Sequence, residues 1–285
     1  MKRWSFAKYA GCGNDFILFD NRQGTFPLSS SLIRRLCQRQ IGVGADGLLL
    51  LENSAKADFR VRIFNSDGSE AEMCGNGIRC LVKWLINMGV SSPLRIEVMQ
   101  DVLIAQQTDD HAICVEIGSP HNIQWDIPLR FENRFLRIHY LNTGVPHAVL
   151  FTDDIEKINL LKLGAYIRHY SLWTPNGTNV NIAQVIKNQK LKIRSYERGI
   201  EGETLACGTG AMAAALAAAH QYHFSSPVII ETRSGEELQI HFSFENHKFS
   251  RVALIGPAKC IFLGEIDLEE RQCASASEFS LSIIG

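Results

Sequence analysis

No Cys-x-x-Cys pair occurs among the 8 cysteines of this chain, and the spacing from Cys74 to Cys80 suits no common zinc site. Long hydrophobic runs are missing as well. The most apolar stretch, Ala211 to Ala219, is too short to cross a bilayer, and the basic segment Met1 to Ala10 lacks the apolar core of a secretory signal. Neither sign of charge dominates: 29 Lys and Arg stand against 30 Asp and Glu, a net charge of −1. That balance leaves no basic field for nucleic acid or anionic lipid. These absences argue against a metal scaffold, a membrane protein and a nucleic-acid binder. They leave a cytoplasmic protein with free thiols in a reducing compartment, whose partner is a small molecule.

What is present is an ordinary globular composition, 46% hydrophobic and 21% charged over 285 residues. That length accommodates two domains of about 130 residues each. The chain is organised around two related stretches, Met73-Cys74-Gly75-Asn76-Gly77-Ile78-Arg79-Cys80 and Ala206-Cys207-Gly208-Thr209-Gly210-Ala211. Each places one cysteine before a Gly-x-Gly turn that feeds an apolar, helix-like run. The opening amides of a helix have no internal acceptor, and the helix dipole is positive there. A cysteine at that point favours its thiolate, and the same amides suit a carboxylate, which glycine lets approach closely.

The flanking sequence can be laid over itself. Phe59-Arg60-Val61-Arg62-Ile63-Phe64-Asn65 overlays Leu191-Lys192-Ile193-Arg194-Ser195-Tyr196-Glu197, and Ser91-Ser92-Pro93 overlays Ser225-Ser226-Pro227. Gly13 to Phe19 has a weaker counterpart in Gly144 to Phe151. A duplicated unit follows, with domains expected at 1–118 and 119–265 and the segment 266–285 open between a return to the first domain and a loose tail. Local patterns give strands over Trp4 to Asp20 around a Gly-rich turn, a helix at 31–40 with Ser29, Ser30 or Ser31 as cap, and an alternating strand over 58–64. The helix after Cys74 carries Ile78, Leu81, Val82, Leu85 and Ile86 at helical spacing. The helix at 211–219 is apolar all round and therefore buried, as if threaded through a curved sheet.

Taken together, Gly13-Asn14-Asp15-Phe16, the Cys74 and Cys207 stretches, and Tyr196-Glu197-Arg198-Gly199 resemble the diaminopimelate epimerase family. The likeness runs from Phe6 to about Gly264. It implies an α+β fold of two pseudo-symmetric α/β domains, each a curved, mostly antiparallel sheet wrapped around a central helix. It further implies a cofactor-independent isomerase, often a homodimer, that converts LL-2,6-diaminopimelate to the meso form for lysine and peptidoglycan precursors. By motif, Cys74 and Cys207 would be the acid/base thiols, with His147 and Glu197 tuning them. Gly75, Asn76, Gly208 and Thr209 would bind the reacting carboxylate. Asn14, Asn65, Asn179, Glu197 and Arg198 would bind the polar ends of the substrate.

The chemistry supports a pair of thiols. Inverting a stereocentre removes a proton from one face and delivers another to the opposite face, and a thiol with an unperturbed pKa of about 8.5 serves as either base or acid near neutral pH. The carbanion needs charge stabilisation, which two helix N-termini offer. Three features depart from the family pattern: Gly47 stands where many relatives have glutamine, Val145 replaces an asparagine, and the segment Glu197 to Thr204 is one residue longer than a common form. Slow turnover of smaller acidic amino acids such as glutamate is expected from these.

Simpler readings stand beside these. Cys12, Cys37, Cys80, Cys114, Cys260 and Cys273 read as buried small hydrophobes. His147 also suits a hydrogen-bonded structural role, the three asparagines suit turns, and Glu197 beside Arg198 suits a solvated ion pair. A proline or hydroxyproline racemase relative shares the chemistry, and a non-catalytic amino-acid binder shares the pockets. Gly208-Thr209-Gly210-Ala211-Met212-Ala213, with Glu231 downstream, also fits a dinucleotide fingerprint, which would make the chain an oxidoreductase. That pattern should follow a buried strand directly, whereas Gly199 to Thr204 is polar and Gly-rich.

Overall fold

Alternation over Phe59–Asn65 yields a strand that buries Val61 and Ile63 and leaves Arg60 and Arg62 partly exposed. Around it the computed structural model describes residues 2–109, 112–268 and, for the backbone alone, 281–284. Cys273 and the Ser-rich stretch around it lie outside the described residues. The chain forms two units, Met1–Ile113 with Pro257–Gly285, and Cys114–Gly256.

The first unit contains β1 (Lys2–Gly11), β2 (Asn14–Asp20), α1 (Ser30–Cys37), β3 (Gly47–Glu52), β4 (Phe59–Asn65), α2 (Gly75–Asn87), β5 (Leu94–Val98) and β6 (Asp101–Gln107), and β7 (Ala112–Glu116) carries the chain onward. The second contains β8 (His121–Phe131), β9 (Arg134–Asn142), β10 (Pro146–Phe151), α3 (Leu160–Arg168), β11 (Asn179–Lys187), β12 (Lys190–Glu197), β13 (Gly202–Thr204), α4 (Gly208–Tyr222), β14 (Val228–Glu231), β15 (Glu237–Glu245) and β16 (Lys248–Pro257). The chain then returns to the first unit as β17 (Lys259–Leu268), which pairs antiparallel with β1 and with β18 (Leu281–Ile284).

Both units use one pairing scheme. In the first, β2 runs parallel to β3, β3 antiparallel to β4, β4 parallel to β5, and β5 antiparallel to β6. In the second, β10, β11, β12, β14 and β15 repeat the same sequence of directions. Register repeats too: Leu48 faces Phe64 and Val180 faces Tyr196, so residues 48 and 180, like 64 and 196, differ by 132. The pseudo-symmetry therefore reaches individual residue pairs, with Asn65 and Glu197 closing corresponding strands.

Each unit packs its sheet on a helix that opens at a cysteine. Helix α2 buries Ile78, Leu81 and Leu85 completely, each contributing about 2 kcal/mol. Helix α4 is buried from Gly208 to Ala218, and its alanines allow the surrounding strands to approach. Flanking cores gather Trp4, Phe19, Leu36 and Leu48 in the first unit, and Leu150, Ile167, Val180 and Tyr196 in the second. Helix α1 is capped by Ser29, whose side chain accepts from Leu32 N, and stops at Cys37 because Gln38 turns extended, short of the expected 40. One cysteine departs from expectation: Cys260 is exposed on β17, where its neighbours Lys259 and Ile261 also face outward. No helix among the described residues is long and apolar enough to cross a membrane.

Candidate active site

In the first unit, β2 opens at Asn14 and α2 opens at its N-cap, Cys74. The Cys74 backbone is extended, its carbonyl accepts from Ile78 N, and its Sγ accepts from Gly77 N at 3.4 Å. A Cβ on Gly77 would press on the end of the Leu49 side chain at 3.2 Å. Asn14 Oδ1 lies 3.8 Å from Cys74 Sγ and 3.5 Å from Asn76 Nδ2. Asn76 and Gly75 are buried at the start of α2. Asn65 is exposed where β4 ends, and its side chain donates to Ser69 Oγ within the turn that follows.

In the second unit, Cys207 is the N-cap of α4 and is only 5% exposed, with Sγ 3.5 Å from Thr209 Oγ1. Thr143 Oγ1 donates to the Thr209 carbonyl, tying β9's end to this turn. His147 on β10 is fully buried, and its Nδ1 lies 3.0 Å from Asn181 Nδ2. Asn181 Oδ1 already accepts from Ser195 Oγ at 2.8 Å. The amide nitrogen therefore faces the ring, which makes Nδ1 the acceptor and puts the ring proton on Nε2. Burial, helped by the Arg198 charge, pushes the His147 pKa down to about 3, so the ring is neutral at ordinary pH. Asn179 donates to the Pro146 carbonyl and accepts from Arg198 N, fixing the backbone that carries Arg198. Glu197 accepts from Thr204 Oγ1 at 2.5 Å.

The first unit thus gathers Asn14, Cys74, Gly75 and Asn76, while the second gathers Cys207, Gly208 and Thr209 and, separately, joins Asn179 to Arg198 and His147 to Asn181. Both half-sites offer one pairing of functions: a thiol that can exchange a proton, beside helix-start amides that can hold an anion. Three side chains built into this framework, Asp46, Arg79 and Asn181, were not among the expected site residues. Arg79 lies within the Met73–Cys80 stretch but was given no role there, Asp46 belongs to neither cysteine stretch, and Asn181 sits two residues from Asn179 on one strand, where period-2 alternation puts both on the same face. The dinucleotide pattern meets an architectural obstacle: α4 follows β13, a three-residue strand antiparallel to β12, not the buried parallel strand of a βαβ unit.

The family model for diaminopimelate epimerase matches residues 6–123 and 139–261, segments that contain both Cys-Gly-x-Gly turns. The chain belongs to the diaminopimelate epimerase family. It is 37% identical over 263 residues to the diaminopimelate epimerase of Chlorobaculum tepidum, covering 91% of this chain and all of the relative. It is 40% identical over 261 residues to that of Flavobacterium psychrophilum, covering 90% and 97%. Among solved structures, a phenazine biosynthesis protein of the PhzF family from Bacillus anthracis superposes with a TM-score of 0.74 at 16% identity, over 94% of this chain and 100% of that one. A hydroxyproline epimerase from Agrobacterium vitis gives 0.68 at 13% identity, over 92% of each chain. These structural likenesses establish the α+β fold that the epimerase family shares.

Proposed function

We infer that this epimerase interconverts LL-2,6-diaminopimelate and the meso form without a cofactor, and that it works as a cytoplasmic homodimer serving lysine and peptidoglycan precursor synthesis. The observation that carries the reading is the repeated N-cap thiol, once at α2 and once at α4, within a chain so similar along its length to diaminopimelate epimerases. In this reading Cys74 and Cys207 address opposite faces of one α-carbon. One sulfur starts as thiolate and takes the α-proton. The carbanion pair delocalises into the carboxylate, which the opening amides at Gly75, Asn76, Gly208 and Thr209 hold. The other sulfur, a thiol, delivers its proton to the opposite face, so the two sulfurs exchange protonation states and atoms balance. The pair titrates as a unit.

Asn14, Asn65, Asn179, Glu197 and Arg198 bind the substrate's polar ends, and a second charged end on the substrate gives Glu197 and Arg198 their purpose. His147 is the neutral hydrogen-bond donor and Glu197 the carboxylate that tune the thiols. The purified protein, incubated with LL-diaminopimelate and no added cofactor, should form the meso isomer on chiral chromatography and leave trans-4-hydroxy-L-proline unchanged. Absence of meso product would overturn the reading.

A further inference from the structure

Four side chains of the first unit form a hydrogen-bonded series with an ion at each end. Arg79 Nη2 donates to Asn76 Oδ1 at 2.8 Å, Asn76 Nδ2 to Asn14 Oδ1 at 3.5 Å, and Asn14 Nδ2 to Asp46 Oδ2 at 3.0 Å. An amide alone can point either way. A guanidinium, however, only donates and an ionised carboxylate only accepts, so each amide between them has one orientation that satisfies the series.

Both ends are themselves fixed. Asp46 Oδ2 also accepts from Asp15 N at 3.1 Å, and Asp46 Oδ1 accepts from Arg39 Nη2 at 2.7 Å. Asp15 returns the contact by accepting from Asp46 N, and it is bound in turn by Lys8 and Arg39. Burial alone would raise the Asp15 carboxyl, but Arg39 and Lys8 together hold it down at about 2, so Asp15 stays anionic across the working pH range. Arg79 is fully buried, donates through Nε to the Pro257 carbonyl, and among the described residues has no carboxylate within ion-pair distance. A buried cation with no carboxylate beside it is costly, and Arg79 offsets that cost through hydrogen bonds to Asn76 Oδ1, the Pro257 carbonyl and Cys12 Sγ.

Accepting the reading of Cys74 as one of the two proton-transfer groups, we propose that Asp46 and Arg79 are positioning residues that lock the amides of Asn14 and Asn76, holding the Asn14 carbonyl toward the Cys74 sulfur. The consequence is a sulfur set between two opposite partners. Gly77 N donates to it from the helix side, and Asn14 Oδ1, which can only accept, faces it from the other and gains a donor from the sulfur only while the sulfur carries its proton. A flipped Asn14 would instead turn an N–H toward the sulfur, favouring thiolate, and would set two NH2 groups against each other at Asn76.

The test removes the acceptor at one end. In Asp46→Leu, the pH midpoint for alkylation of Cys74 by iodoacetamide, read by mass spectrometry of its peptide, should fall by roughly half a pH unit or more as Asn14 gains the freedom to flip. Cys207, alkylated in the same samples, should keep its midpoint. For diaminopimelate, kcat should fall about ten-fold or more with a smaller change in KM. Asp46→Asn, which keeps an acceptor, should lie nearer the native enzyme in both measurements. If Asp46→Leu does not fold, Asp46→Ala is read in the same way. An unchanged Cys74 midpoint, or equal movement of Cys74 and Cys207, overturns the proposal by reducing Asp46 to a structural residue. Alkylation needs no substrate, so a native protein inactive on diaminopimelate would remove the functional reading while leaving this test intact.

Discussion

Gly210 carries a consequence that can be worked from the geometry. A Cβ at this third residue of α4 would overlap Asn181 Oδ1 and lie 2.9 Å from Cγ and 3.2 Å from Nδ2. Asn181 cannot withdraw, because it is fully buried and bonded to both His147 and Ser195. Gly210→Ala would gain at most about 1 kcal/mol of helix propensity. Against that it would break or bend two buried hydrogen bonds worth about 1 kcal/mol each and leave a polar group unsatisfied at about 1–3 kcal/mol. A net loss of about 2–4 kcal/mol is expected, a large share of a typical domain's 5–15 kcal/mol. Urea unfolding of four proteins, native, Gly210→Ala, Asn181→Ala and the double variant, measures it. In the Asn181→Ala background the clashing atoms are gone, so adding Gly210→Ala should cost nothing or stabilise slightly. A single Gly210→Ala variant as stable as the native protein, or an equal cost in both backgrounds, would refute the reasoning.

Other outcomes follow from the same contacts. The folded pKa of His147, about 3, lies below the unfolded value near 6.5, so its contribution to stability is complete above pH 6.5 and is lost as pH falls toward 3. The loss runs at up to about 1.4 kcal/mol per pH unit. Unfolding of His147→Gln should therefore depend less on pH between 6.5 and 4 than that of the native protein, and superimposable curves would contradict the buried neutral ring. At Gly47 a Cβ would meet the Phe64 carbonyl oxygen at 2.5 Å and the Phe16 ring at 3.2 Å. Gly47→Gln, which installs the residue of many relatives, should thus lower the melting temperature without lowering KM for diaminopimelate. Glutamate should racemise slowly under conditions that give full activity on diaminopimelate, and no detectable turnover removes that expectation.

The parts of the molecule that were legible in the sequence are those where one local pattern decides the structure. The alternation at Phe59–Asn65 and the stripe from Ile78 to Ile86 each identify one element and its buried face. The constant offset between Leu48–Phe64 and Val180–Tyr196 is the sequence repeat itself, expressed as strand register. The β8–β9 hairpin was not among the expected strands, although Ile123, Trp125, Ile127, Leu129 and Phe131 alternate with more exposed residues along β8. Pro128 within that run counts against a strand, and the register shifts between His121, Gln124 and Ile127 arise only in the folded pairing.

Charge misleads in a similar way at the site. Arg79 lies off the apolar stripe of α2, yet the helix is enclosed on nearly every side and the guanidinium is buried against Asn76 and Pro257. Asp46 reads as a turn residue. Its significance comes from Asp15, Arg39 and Asn14, which lie up to 32 positions away and meet it only in the folded chain. Single-residue motifs identify the groups that touch a ligand, whereas the residues that hold those groups in place emerge from tertiary contacts.

The central claim is that two sulfurs serve opposite faces of one carbon. Its most direct measurement is a proton NMR time course of LL-diaminopimelate in deuterated water with the native enzyme, Cys74→Ala and Cys207→Ala. The native enzyme should form meso product carrying deuterium at the inverted α-carbon, and neither variant should invert it. Inversion at the native rate by either single-cysteine variant would contradict the two-thiol account.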